Sequence, residues 1–118
     1  MGTRKPILIF QYSERIKSEL IIASELLAKL VTLRGDELIG AEKLLITFME
    51  ALRGEIRIAQ NIEKTVNFLG AEKKVTEAIG RLRLSYHSEA ARSISEALSF
   101  ITTSSQGAME VLEEKGLI

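Results

Sequence analysis

Apolar residues recur at intervals of three or four along almost the whole chain, and glycines separate the recurring stretches. That spacing places side chains on one face of an α-helix. The first stretch predicts a helix over about residues 6–34, because Pro6 suits a first helical turn and Gly35 suits a helix end. A later start near Ser13, with residues 7–10 as an extended arm, is the alternative. The predicted apolar face consists of Tyr12, Ile16, Leu20, Ala23, Leu27 and Leu30.

The longest recurring stretch lies between Gly35 and Gly70 and contains no proline. It predicts a second helix over residues 36–69, with Asp36 as its N-cap and Gly70 at its end. Such a helix is about 50 Å long, so the rest of this short chain has to pack on it. Its predicted apolar face consists of Leu38, Ala41, Leu45, Phe48, Leu52, Ile56, Ala59, Ile62, Val66 and Leu69.

After Gly70, the pattern predicts a third helix over residues 71–84 and a fourth over residues 88–115. We place a tight turn at 84–88, where the apolar phase shifts and Ser88 suits an N-cap. No glycine or proline forces a break there, so a continuous helix, giving three long helices, is the alternative. The second half of the fourth helix is rich in Ser, Thr and Ala, which favours the close approach of a neighbouring helix.

Short connections between these helices predict an all-α, antiparallel up-and-down bundle of four helices that forms one domain over residues 1–118. We expect residues 1–5 to be disordered. The third helix is the shortest, so the Gly35 end of the first hairpin would expose apolar faces to water. Such a surface favours a partner, most simply a second copy in a two-fold homodimer. With a continuous helix through 84–88, the bundle would cover itself as a monomer.

Charge and composition exclude several classes of function. Sixteen basic and sixteen acidic residues cancel, so the chain lacks the positive field of non-specific nucleic-acid binding, and we expect no nucleic-acid partner. The apolar run near the N-terminus, Ile7 to Phe10, is too short to cross a membrane. The absence of cysteine is compatible with the cytoplasm, where we expect the protein. Few Gln and Asn residues beside many Glu and Lys residues favour a thermophilic source.

Two glutamates interrupt the predicted apolar faces, Glu19 in the first helix and Glu55 in the second. Folding the chain about Gly35 places these two residues within about one helical turn of each other. Folding it about Gly70 brings Tyr86 and His87, the single histidine, to the same level. We therefore predict a buried polar cluster of Glu19, Glu55, Tyr86 and His87.

This cluster has two interpretations. Glu19, Glu55 and His87 would hold a metal ion or carry out acid–base chemistry, although the Glu-x-x-His pairs of di-iron bundles are absent. Alternatively, each glutamate forms a structural ion pair with an arginine, because buried charges need partners.

Arg81 and His87 are separated by five residues. This spacing is similar to the Arg-x5-His motif of HEPN ribonuclease domains, which are also small helical bundles. The resemblance implies an RNA-binding or RNA-cleaving dimer in which Arg81 and His87 face each other across the interface. It covers these two residues, and Leu82 stands where that family prefers a polar residue.

The sequence favours a non-enzymatic bundle that acts by self-association and by binding another protein, with no cofactor. The candidate contact residues are apolar positions near the N-terminus and off the main apolar face of the second helix: Ile7, Phe10, Ile39 and Ile46.

Overall fold

The computed structural model describes residues 4–118, which form four α-helices: α1 (Arg4–Leu30), α2 (Gly35–Ile62), α3 (Val66–Arg83) and α4 (His87–Glu114). Consecutive helices are antiparallel neighbours, and α4 returns along α1 to close a bundle of 53 × 22 × 18 Å. The predicted all-α, four-helix bundle is confirmed. In the described part of the chain, none of the helices has the length and apolarity needed to cross a membrane.

The start of α1 differs from the prediction. The helix begins at Arg4, two residues before the predicted start, so Pro6 lies in the first turn, and the alternative of an extended arm over residues 7–10 is wrong. Proline is tolerated there because the first N–H groups of a helix have no intrahelical acceptor. The predicted disorder of residues 1–5 therefore does not extend to Arg4 and Lys5, and residues 1–3 lie outside the described residues.

Turns with positive φ angles separate two of the helix pairs. Gly35 has a φ of 60°, and the Arg34 guanidinium donates hydrogen bonds to the carbonyl oxygens of Val31 and Leu33. Between α3 and α4, Ser85 has a φ of 59°, which breaks the helix at the predicted turn. The continuous-helix alternative is therefore wrong, and α4 begins at His87, one residue before the predicted N-cap.

The turn between α2 and α3 comes earlier than predicted, because α2 ends at Ile62 instead of residue 69 and α3 begins at Val66 instead of residue 71. The Thr65 hydroxyl accepts a hydrogen bond from the Phe68 backbone N–H at 3.1 Å and caps α3, which begins at Val66. Gly70 lies inside α3, where a Cβ atom would come within 2.7 Å of the Phe100 ring. Gly70 therefore permits close packing of α3 on α4 and does not end a helix.

This shift changes which residues of the predicted apolar face are buried. Val66 is 79% exposed and Leu69 is also exposed, whereas Phe68 is fully buried. The core contains apolar side chains from all four helices. The α2 contribution is Leu45, Met49, Leu52, Ile56 and Ala59.

Small side chains on α4 allow close packing against α1. Ser13 and Ser104 are both buried, and their hydroxyl oxygens lie 2.9 Å apart. At the next residue of each helix, the Ser105 hydroxyl donates a hydrogen bond to the Glu14 carboxylate. Each of these three buried hydroxyls thus has a hydrogen-bond partner, as buried polar groups require.

α3 is shorter than α2 by ten residues and leaves part of α2 uncovered. It ends beside Glu50, whose carboxylate lies 2.9 Å from the Arg83 guanidinium. The first part of α2 therefore extends beyond α3 towards Gly35. In this part, Ile39 is 52% exposed.

Candidate functional site

An apolar groove lies between α1 and α2 near the Gly35 end of the bundle. Its volume is about 340 Å³. Leu44 stands on its wall and is 74% exposed, whereas the adjacent Leu45 is buried in the core. A rotation of about 100° per residue turns Leu44 from the core towards the α1 side of α2. The groove is lined by Leu26, Lys29, Leu30, Leu33, Ala41, Leu44, Leu45 and Phe48.

Exposed apolar residues continue from this groove along both helices. Ile22 lies one turn before Leu26 in α1, and both side chains are nearly half exposed. Ile58 lies one turn after Glu55 in α2 and is also exposed. Residues three or four apart share a helix face, so these side chains belong to one surface with the groove. We call this surface, lined by Ile22, Leu26, Leu33, Leu44, Phe48 and Ile58, the α1–α2 face.

A carboxyl pair lies on the same face. Glu19 from α1 and Glu55 from α2 are both partly buried and lie within hydrogen-bonding reach of each other, as the sequence predicted. The Arg15 guanidinium lies 2.7 Å from Glu55 Oε1 and is mostly exposed. Glu19 Oε1 and Glu55 Oε2 are buried and have no hydrogen-bond donor when both groups are ionised. A proton on Glu19 supplies that donor.

The electrostatics of the pair favour a protonated Glu19. Burial raises the pKa of Glu19 to about 7, with further contributions from the hydrogen bond to Glu55 and from its charge. Arg15 acts in the opposite direction and does not offset these effects. Near neutral pH, Glu19 therefore exchanges a proton while Arg15 neutralises Glu55.

The structure does not bring Tyr86 and His87 to this pair, so the predicted four-residue cluster is wrong. His87 Nε2 lies 2.6 Å from Glu42 Oε2, which is about 20 Å along α2 from Glu55. Tyr86 is half exposed in the turn before α4. The prediction that Tyr86 and His87 lie at the height of Glu55 along the bundle assumed a turn at Gly70. The observed turn at 63–65 moves the α3–α4 connection towards the Gly35 end.

The His87–Glu42 pair joins α4 to the part of α2 that α3 does not cover. Both side chains are largely buried, with exposed fractions of 21% and 12%. Burial acts to raise the pKa of Glu42, but hydrogen bonds from His87 and Ser85 outweigh it and lower the pKa below its ordinary value. The contact therefore acts as a structural clamp between α2 and the start of α4.

The residues of the metal and RNA interpretations, His87 and Arg81, have partners inside the bundle. Among residues 4–118, no group of three or more His, Asp or Glu side chains is placed to hold a metal ion. Arg81 donates hydrogen bonds to the Ser93 hydroxyl at 2.5 Å and to the Glu89 carbonyl oxygen at 3.2 Å. Arg81 joins α3 to α4 and His87 joins α4 to Glu42 of α2, so both motif residues contribute to the packing of the bundle.

The predicted contact residues lie on separate surfaces. Ile7 and Phe10 are near the start of α1, at the opposite end of the bundle from Ile39. Ile46 is half-buried and packs against the core. Sequence reasoning missed Leu44, which forms the most exposed part of the groove wall. The signal was the Leu44-Leu45 pair, because two adjacent residues of a helix cannot both face one core.

Comparisons with known proteins assign no role to the α1–α2 face. The chain matches no family model, no curated protein and no solved structure. The apolar groove and the carboxyl pair lie together on two neighbouring helices.

Proposed function

We propose that this protein is a non-enzymatic helical bundle that acts by self-association through the α1–α2 face and presents the resulting dimer to a protein partner. The observation that supports this most is the exposed Leu44 beside an apolar groove formed by the same two helices. A protruding leucine and a leucine-lined groove on one surface are self-complementary. In a two-fold dimer, Leu44 of each copy would occupy the groove of the other.

The dimensions of the face suit a second copy. From Leu44 to Ile58 the face runs about 20 Å along α2, and across two neighbouring helices it is about 20 Å wide, or roughly 400 Å². A stable interface of standard size buries about 800 Å² on each partner. The α1–α2 face therefore supplies about half of that area as the apolar centre of an interface, and the polar residues around it would supply the rim.

Charge also favours a second copy over a strongly charged partner. The chain has sixteen basic and sixteen acidic residues, so two copies do not repel each other through net charge. An apolar surface with charged residues at its edges is typical of interfaces between protein chains. The absence of cysteine is compatible with a cytoplasmic site of action, which is part of this proposal.

A substitution in the groove wall tests the proposal. Leu44→Glu places a charge at the centre of the proposed contact, and we expect the dissociation constant of the dimer to rise at least about tenfold. Val66→Glu is the matched control, because Val66 is equally exposed but lies at the start of α3. Sedimentation equilibrium measures both variants, and circular dichroism verifies that each remains helical.

Two outcomes would contradict the α1–α2 face as the dimer interface. If Leu44→Glu and the unmodified chain associate equally well, the α1–α2 face is not the interface. If Val66→Glu weakens association as much as Leu44→Glu, the contact lies elsewhere on the bundle.

A further inference from the structure

The carboxyl pair occupies a place where an interface would exclude water. Glu19 lies one turn before Ile22, and Glu55 lies one turn before Ile58, so the pair is flanked by exposed apolar side chains of the α1–α2 face. A second copy packed on this face would remove the water that now reaches the partly exposed carboxyls. Removing water penalises a charged group much more than a neutral one.

The charge of this cluster depends on one proton. With Glu19 ionised, two carboxylates face the single guanidinium of Arg15, and the three groups carry a net charge of −1. With Glu19 protonated, the net charge is zero, and Glu19 donates a hydrogen bond to Glu55. A two-fold dimer brings two such clusters into one interface, so the unprotonated form adds repulsion to the desolvation cost.

We propose that the Glu19–Glu55 pair makes this association sensitive to pH, so that copies of the chain associate when the pair holds a proton and separate when both carboxyls are charged. The inference rests on the proposed self-association through the α1–α2 face. It adds the regulation of that face, namely the uptake of one proton by each copy on association.

The groups around the pair are consistent with this response. Tyr12, Arg15 and Lys29 are the other titratable side chains on this side of α1. The opposite side of α2 faces α3, where Glu72 is paired with Arg57 at 2.7 Å. The opposite side of α1 faces α4, where Glu14 accepts a hydrogen bond from Ser105. Lys29 lies about 15 Å along α1 from Glu19, so the proton that neutralises the carboxyl cluster binds to the Glu19–Glu55 pair itself.

The raised pKa of Glu19, about 7, places the response near neutral pH. Below that value the pair already holds its proton, and association requires no uptake. Above it, each proton taken up on association changes the dissociation constant by up to about tenfold per pH unit. A dimer with two pairs therefore weakens steeply between about pH 7 and pH 8.5.

Sedimentation equilibrium of the full chain at about pH 6 and about pH 8.5 tests the inference. We expect the dissociation constant of the unmodified chain to rise at least about tenfold over this range. Glu19→Gln carries no ionisable group and still donates a hydrogen bond, so we expect its dissociation constant to stay within about threefold. Glu25→Gln, an exposed glutamine substitution on the same helix, should keep the pH dependence of the unmodified chain.

A second variant keeps the test valid if Glu19→Gln folds poorly. Glu55→Gln leaves Glu19 and Arg15 as a neutral combination without a proton, so it should also associate independently of pH. Persistence of the full pH dependence in the folded glutamine variants would overturn this inference and leave the dimer intact. A monomer at about pH 6 would instead contradict the proposed self-association itself.

Discussion

Glu19 lies on α1 where its neighbours along the face, Ile22 and Leu26, are apolar. Its carboxyl is stable there as a neutral group that donates to Glu55, and ionisation leaves two buried oxygens without a donor. The folded state therefore binds the proton more tightly than the unfolded chain does, since the pKa rises from 4.5 to about 7. By linkage, the free energy of unfolding falls as the pH rises through this window.

Substitution of Glu19 should reveal this penalty as a change in thermal stability. We expect Glu19→Gln to melt a few degrees above the unmodified chain at about pH 8, because the glutamine never ionises. The difference should shrink towards zero as the pH falls to about 4.5. Glu25→Gln, measured at the same protein concentration, is the control. Equal melting temperatures of Glu19→Gln and the unmodified chain at both pH values would show that the carboxyl pair does not strain the fold.

Glu42 is the opposite case at the residue scale, because its pKa is lowered in the fold. Its carboxylate stabilises the fold above about pH 4.5, and this contribution is lost as the pH falls through the lowered pKa. We expect Glu42→Gln to reduce the free energy of unfolding by about 1–2 kcal/mol at about pH 7, where His87 loses a charged partner. Urea denaturation measures the change, and the deficit should shrink as the pH falls from about 4.5 to about 3. A deficit that is equal at both pH values would argue against the charged contact.

At the scale of the elements, the sequence predicted the number, type and order of the helices but placed the turn between α2 and α3 too late. Ile62, Val66 and Leu69 continue the apolar spacing of α2, so periodicity alone does not show the break at 63–65. Thr65 is an N-cap signal that competes with the glycine signal at Gly70. The glycine was instead needed for its missing side chain, because Phe100 of α4 occupies that space.

Two glycines of α3 test this explanation by contrast. Gly80 faces open space, so Gly80→Ala should raise the free energy of unfolding by about 0.5–1 kcal/mol through helix propensity. Gly70→Ala gains the same propensity but collides with Phe100, and overpacking typically costs about 1–3 kcal/mol. We expect a net loss of about 1 kcal/mol for Gly70→Ala in chemical denaturation.

The background of the Phe100→Ala variant separates the two effects. Removing the ring opens the space beside Gly70, so Gly70→Ala should then stabilise the bundle much as Gly80→Ala does. If Gly70→Ala is stabilising in the chain that retains Phe100, the close contact between α3 and α4 is not what requires a glycine.

The misplaced boundary also decided how much of the site could be predicted. Glu19 and Glu55 were brought together correctly because their meeting depends on the turn near Gly35, which the sequence marks clearly. His87 was assigned to the wrong partner because its position along α2 depends on where the chain turns between α2 and α3. A turn centred on Lys64 would have placed Tyr86 level with Glu42, next to the observed partner of His87. Arg15 was missed, since no periodicity argument distinguishes it from other exposed cations.

At the scale of the whole molecule, the bundle covers most of its apolar surface but leaves the α1–α2 face open. The ten-residue deficit of α3 uncovers another side of α2, and the His87–Glu42 pair closes part of it. The α1–α2 face has no such closure, and its groove is lined almost wholly by apolar side chains. A second copy of the chain would cover this face and bury the carboxyl pair together with it.

The molar mass of the unmodified chain in solution tests self-association most directly. Light scattering coupled to size-exclusion chromatography, at about pH 6 where the carboxyl pair holds its proton, should give twice the chain mass of 13.1 kDa. The mass should fall towards that of one chain when Leu44 is replaced by glutamate. A mass of 13.1 kDa for the unmodified chain under these conditions would contradict the dimer.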